Sequence, residues 1–240
     1  MTTSGNNSIA LGSYSSNNTT QTSAPGAYQI ALGGGVGLNS GANNAIGIGT
    51  NVSIAQGTAD NTIAIGAYSS GQGNNGIAIG TYTSIHSSAT KAIAIGYNAD
   101  TNNSNSTGAI AIGQNTDANA TDSIAIGTNA QNDSTNSIAI GHDTDINSTA
   151  FSTVVIGDGA SANGSDRSVV IGHDTNSDAD DQVLIGNLVK GTVAKVSEIG
   201  YWSDATTRGG AVTIRGATGQ VSSTIQNRDS AYTDGRRYLT

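Results

Sequence analysis

The sequence contains no cysteine, and only one proline, one tryptophan, one phenylalanine and one methionine in 240 residues. Without cysteine there is no disulfide, no thiolate nucleophile and no zinc–thiolate site. The scarcity of aromatic residues argues against a thick spherical core, which is usually filled by leucine and aromatic side chains. Charge is also scarce, at 11%, and positive charge most of all: nine Lys and Arg stand against 17 Asp and Glu, a formal net charge of -8. No basic stripe interrupts that acidic balance, so a nucleic-acid partner is excluded, because phosphate backbones repel such a surface. No apolar run reaches the 18 or so residues of a membrane span, so membrane insertion is not expected. No positively charged start leads into an apolar stretch, so no signal peptide is expected.

What the sequence does have is a phrase. Ser123-Ile124-Ala125-Ile126-Gly127 returns fourteen residues later as Ser137-Ile138-Ala139-Ile140-Gly141. Related phrases begin at Ile9, Ile30, Ile46, Ile63, Ile77, Ile93 and Ile110, and change to Val-Val-Ile-Gly at Val154 and Val169 and Val-Leu-Ile-Gly at Val183. From Gly66 the closing glycines advance by 14, 16, 17, 14, 14, 16, 15 and 14 residues. That period is too short for leucine-rich, ankyrin or propeller units and suits one turn of a small two-stranded roll. The regular isoleucines also separate the chain from disordered sequences of similar polarity.

Within each phrase side chains alternate, so Ile124 and Ile126 point one way and Ala125 the other, as in a strand. A second strand follows each glycine, with small residues at alternate positions: Thr116 and Ala118 after Gly113, Ala160 and Ala162 after Gly157. Ile124, Ile126, Gly127, Ile138, Ile140 and Gly141 are the fold-defining set. The glycine marks a tight bend or a close backbone approach. The isoleucines are expected to face the core. The row Ala64, Ala78, Ala94, Ala111, Ala125 and Ala139 is then expected on the outer face, as an apolar stripe that identical chains bury against one another in a homotrimer. Insertions such as Asn102–Gly108 fall before the next phrase, as loops from one edge.

These repeats resemble the heads of trimeric autotransporter adhesins, the YadA-like head. The resemblance is carried by Asn136-Ser137-Ile138-Ala139-Ile140-Gly141 and by Asp122-Ser123-Ile124-Ala125-Ile126-Gly127 with Ala130 after it, and covers roughly residues 7–186. It implies an all-β fold, a left-handed parallel β-roll or short-period solenoid, in a homotrimeric rod. Adhesins of that family add a secretion signal, a coiled-coil stalk and a membrane-anchoring barrel, none of which is recognised here. Similar rolls occur in bacteriophage tail fibres and other virion appendages, and this chain resembles that setting more closely.

Composition shifts after Gly186, dividing the chain into a β-roll, 1–186, and a C-terminal capping, attachment or tip region, 187–240. Seven of the nine Lys and Arg lie from Lys190 onward. Trp202, Arg208, Arg236, Arg237 and Tyr238 are of the types enriched where partners bind, and are the candidate partner contacts. A solenoid must also cap its last rung.

Catalytic and metal constellations are weak. His142-Asp143 and His173-Asp174, with Asp145 and Asp178, give no convergent ligand set and read as solvated loop residues. His86 reads as a surface residue. There is no G-x-S-x-G nucleophile elbow, no phosphate loop and no calcium-binding nonapeptide array. No enzyme activity and no cofactor are expected. The resulting expectation is a structural fibre or spike of a virion, attaching to other virion proteins and to a host-surface receptor or glycan. The alternatives are an extracellular or cell-surface adhesin head, a capsid decoration protein, and a monomeric solenoid binding a ligand or ice through threonines. The post-glycine row Thr83, Ala99, Thr116, Ala130, Thr144, Ala160, Thr175 has threonine only at every second turn, which weakens the ice-binding alternative.

Overall fold

The computed structural model of the protein describes residues 2–3, 6–12, 23–54, 59–101, 103–201, 204–205, 211–214 and 223–226, with backbone alone for 2–3 and from 201 onward. Among these residues there is no helix. The isoleucine phrases form one 15-stranded sheet and the short post-glycine strands a second, 14-stranded sheet. Each turn gives one strand to each. Ile124–Ile126 is followed by Gln131–Asn132, and Ile138–Ile140 opens the next turn. Identical residues stack in register: Ile110, Ile124 and Ile138 in one column, Ala111, Ala125 and Ala139 in the next. The protein is a parallel β-solenoid. Its 14 rungs, at about 4.8 Å each, make a rod roughly 65 Å long.

Two bends per turn let the chain reverse within fourteen residues. One lies two positions past the glycine and the other two positions before the isoleucine phrase, and both use left-handed backbone. In the turn around Gln131 these residues are Asn129 (φ 55°) and Asn136 (φ 57°). Asn and Asp tolerate that conformation best among residues with side chains, which is why the intervening segments are so rich in them. The glycine itself is more constrained. Gly127 has φ 140°, and a Cβ there would overlap the carbonyl oxygen of Gly141 one turn away. The glycines are therefore both the bend and the close approach expected from their spacing. Hydrogen bonds run along the axis beside them, Gly127 N to Ile112 O at 2.9 Å and Ile124 N to Ser137 O at 3.0 Å.

The orientation of the isoleucine strand is the reverse of the sequence expectation. Ala64, Ala78, Ala94, Ala111, Ala125 and Ala139 are fully buried inside a single chain, and the flanking isoleucines are half-buried on the outside. The alanine row therefore cannot be a surface between chains. The physical reason is thickness. Thr116, Ala118 and Ala130 fill the opposite wall, and two walls of small residues bring the sheets close enough for fourteen-residue turns. Val155, Val170 and Leu184 continue the inward row; they enlarge the core near the C-terminal end rather than separating chains.

Where one wall carries a large residue, a neighbour shrinks. A Cβ on Gly76 would lie 3.2 Å from Ile85 Cδ1, and one on Gly47 would lie 2.8 Å from both Leu38 Cδ2 and Val36 Cγ1. Polar groups inside are tied to backbone: Asn132 Nδ2 donates to Ile124 O (3.1 Å) and Ser137 O (2.8 Å). Such pairing offsets the desolvation of a buried amide. Glu198 differs: it occupies the inward row in register with Leu184 and Thr213, and neither buried carboxylate oxygen has a hydrogen-bond partner.

Parallel pairing continues past Gly186. Val183–Asn187 pairs with Ser197–Tyr201, aligning Gly186 with Gly200, and Ser197–Ile199 pairs with Val212–Ile214. The last strand, Ser223–Gln226, lies antiparallel on Ala211–Ile214. It is the one antiparallel pairing among the described residues, and it replaces the next rung.

Candidate interaction surfaces

Three outer surfaces follow from this geometry. The first is the outside of the isoleucine sheet. Every rung from Ile9 to Ile199 contributes outward side chains to two columns, almost all of them Ile, Val or Leu up to Val183 and Ile185. They are half-exposed in the interior of the stack and more open at its ends, 58% at Leu11 and 43% at Ile199.

The second is the outside of the short-strand sheet, which is polar. Asp117, Gln131 and Asp145 stack in register there. Asp133 accepts from Gln131 Nε2 at 2.6 Å and from Asn119 Nδ2 at 3.0 Å. Burial pushes the Asp117 and Asp145 carboxyls up from the usual range, and the charge of Asp133 adds to the effect.

The third is the corner after the glycine. Tyr68 and Tyr82 stack with ring centroids 5.1 Å apart, and Tyr97 meets Tyr82 edge-on at 6.0 Å; all three are about half exposed. The corner continues as a ladder from Asn98 through Asn115 and Asn129 to Asp143, with amide-to-oxygen distances of 3.3, 3.3 and 2.8 Å. Beside it His142 Nδ1 lies 2.8 Å from Asp158 Oδ1 and 3.2 Å from Asp143 Oδ2. The Asp158 hydrogen bond, reinforced by Asp143, raises the His142 pKa. His173 Nε2 stands 3.9 Å from Asp158 on the far side. These residues are solvated, and no group of three or more His, Asp or Glu among the described residues is arranged to hold a metal ion.

The candidate partner contacts Trp202, Arg208, Arg236, Arg237 and Tyr238 lie outside the described residues. The threonine row fares differently: Thr83, Thr116, Thr144 and Thr175 are buried inside the roll, so they form no outward face for ice. The sequence reading missed the isoleucine columns and the tyrosine corner. The corner was detectable, since Tyr68 and Tyr82 both sit two positions past a repeat glycine. No helix among the described residues is long and apolar enough to cross a membrane.

The profile described as YadA head domain repeat (2 copies) matches residues 2–15, 58–83, 87–107 and 104–130, less than half of the chain. No curated protein sequence matches it. The matched stretches are built of the same strand, glycine, turn and short strand that recur along the rest of the stack. The turns of this β-solenoid are YadA-like head repeats, of the kind found in adhesin-type proteins.

Proposed function

We propose that the chain forms a homotrimeric rod, the head of a structural fibre or adhesin-type spike that holds a contact surface away from the body carrying it. The observation that supports this is the outside of the isoleucine sheet. Two near-continuous apolar columns along a roughly 65 Å rod exceed what a soluble monomer ordinarily leaves open. Each column repeats with the rung, so a symmetric assembly about an axis parallel to the rod covers all of it at once. The polar short-strand sheet and its corners then face outward. In this role the chain needs no catalysis.

The rod stands on a virion, as a tail fibre or other appendage, and takes part in host-surface attachment through a receptor or glycan. Residues 187–240 supply its cap, attachment or tip. A bacterial cell-surface adhesin head is the second reading, favoured by the repeat match itself. Sedimentation equilibrium over a wide concentration range should give three chain masses of 23.8 kDa; a stable monomer would refute the trimer. Gold-labelled antibodies against the roll distinguish the placements: label on particles supports the virion, and label on intact cells alone supports the adhesin.

A further inference from the structure

Asn-x-Ser/Thr, where x is not proline, is the acceptor pattern for N-linked glycosylation. Among the described residues the pattern starts at Asn6, Asn51, Asn105, Asn119, Asn132, Asn147 and Asn163. The fold makes these sites unequal. Asn132 is fully buried, with its amide hydrogens on two carbonyls. Asn119 Nδ2 is engaged by Asp133, and the hydroxyl of its partner Thr121 turns away to Asn105 O at 2.7 Å. The Thr107 hydroxyl of the Asn105 site faces Ser88 O, and the Ser8 hydroxyl of the Asn6 site donates to Gly26 O. Ser165 of the Asn163 site is buried, and the Asn163 amide faces Asn176 and Asp178. Asn51 occupies a left-handed turn ahead of the buried Val52.

Asn147 differs from all of them. It follows the short strand Asp145–Ile146 and opens a turn in which Ser148 and Thr149 are exposed. That turn of the roll advances its glycine by 16 residues, from Gly141 to Gly157, so the loop stands out from the polar sheet. The Thr149 hydroxyl donates to Asn147 Oδ1 at 2.9 Å, the Thr149 backbone N–H at 3.2 Å and the Gly164 N–H at 3.0 Å. Among the described residues this is the one site of the pattern whose hydroxyl is bonded to its own asparagine. Three donors on Oδ1 stabilise negative charge there and favour loss of a proton from Nδ2. Nδ2 itself donates to no described residue.

We propose that Asn147 is the acceptor for N-linked glycosylation of the folded chain, modified by a transferase that uses a nucleotide-activated hexose. The Asn147 Nδ2–C1 bond forms as the bond from C1 to the diphosphate oxygen breaks. The nucleoside diphosphate leaves with that electron pair, and the displaced amide proton passes to a base of the transferase. The sugar projects from the polar sheet, on the side away from the isoleucine columns, so modification and assembly do not compete.

The test uses the full chain, a soluble transferase specific for the Asn-x-Ser/Thr pattern, and UDP-glucose, with sites located by peptide mass spectrometry. On the folded chain, Asn147 should be labelled about tenfold faster than any other described site, a rate ratio of the size one well-placed hydrogen bond supplies. After unfolding in urea and dilution, labelling should spread over Asn105, Asn119, Asn132 and Asn163 as well. Thr149→Ser should keep the preference and Thr149→Val should remove it, with circular dichroism showing that both fold. Three outcomes would overturn the proposal: faster labelling at Asn105, Asn119 or Asn163 in the folded chain, an unchanged rate in Thr149→Val, or labelling only of the unfolded chain.

Discussion

The two sheets of this roll share one axis, one register and one set of turns, yet their outer faces obey different rules. The isoleucine sheet repeats Ile-x-Ile rung after rung. The short-strand sheet changes identity at each rung, through Ser84, Asp100, Asp117, Gln131, Asp145 and Ser161. An apolar column has to be continuous to exclude water along its length, whereas a polar side chain facing water meets no such demand. Uniformity therefore marks the face proposed to be covered, and variety the face left to solvent. The inner walls differ from both, since they are held by volume.

That comparison can be broken most severely at the glycine between the two sheets. Gly141→Val should destabilise the roll by about 3 kcal/mol or more, because the left-handed backbone and the overlap with Gly157 act together. Urea denaturation of the variant is the check, and a loss under about 1 kcal/mol would mean that the glycines are replaceable turn residues. A paired substitution sharpens the contrast between the faces of one strand. Ala125→Leu should cost about 1–3 kcal/mol by overpacking the interior. Ile126→Ser on the outside should leave the unfolding of the isolated chain within about 1 kcal/mol while weakening association in sedimentation. The opposite pattern would restore the alanine row as the surface between chains.

The smallest effect lies on the polar sheet. The Asp145 carboxyl is raised from 3.8 by burial and by Asp133. The folded state therefore holds this proton more tightly than the unfolded chain does. Its contribution is favourable below 3.8 and is lost as pH rises through the folded value. At neutral pH Asp145→Asn should stabilise the roll by about 0.5 kcal/mol, the figure being kept low for solvent screening. Thermal unfolding at pH 7 and pH 3 should show that gain at the higher pH alone.

Strand type, repeat length, the role of the glycine and the stacking of like residues were all legible in the sequence, because each depends on local backbone or on period. Which face turned inward was not. Ile-Ala-Ile states that Ile126 and Ala125 part company, and strand alternation has no preferred side. A resolving signal lay one residue upstream. Ser123 and Ser137 precede their phrases and share the parity of Ala125, while Ala130 and Asn132 line the facing wall. A cavity bounded by such small groups on both sides leaves no space for two isoleucines per turn. The tyrosine corner was readable by position, but its stacking distance depended on the turn geometry. Asn147 could be found in the sequence as one acceptor pattern among several, and only its hydroxyl contact set it apart.

The pairing of Ile85 with Gly76, and of Leu38 and Val36 with Gly47, bears on how such a chain finds its own alignment. A sequence of near-identical turns offers many neighbouring misalignments, each one repeat out of step and each with its isoleucine columns satisfied. Moving Ile85 by one repeat would bring it against alanine instead of glycine, and the displaced glycine would leave a void. The irregular rungs thus serve as keys cut at different depths, and they allow a chain that repeats itself to fold as if each turn knew its number.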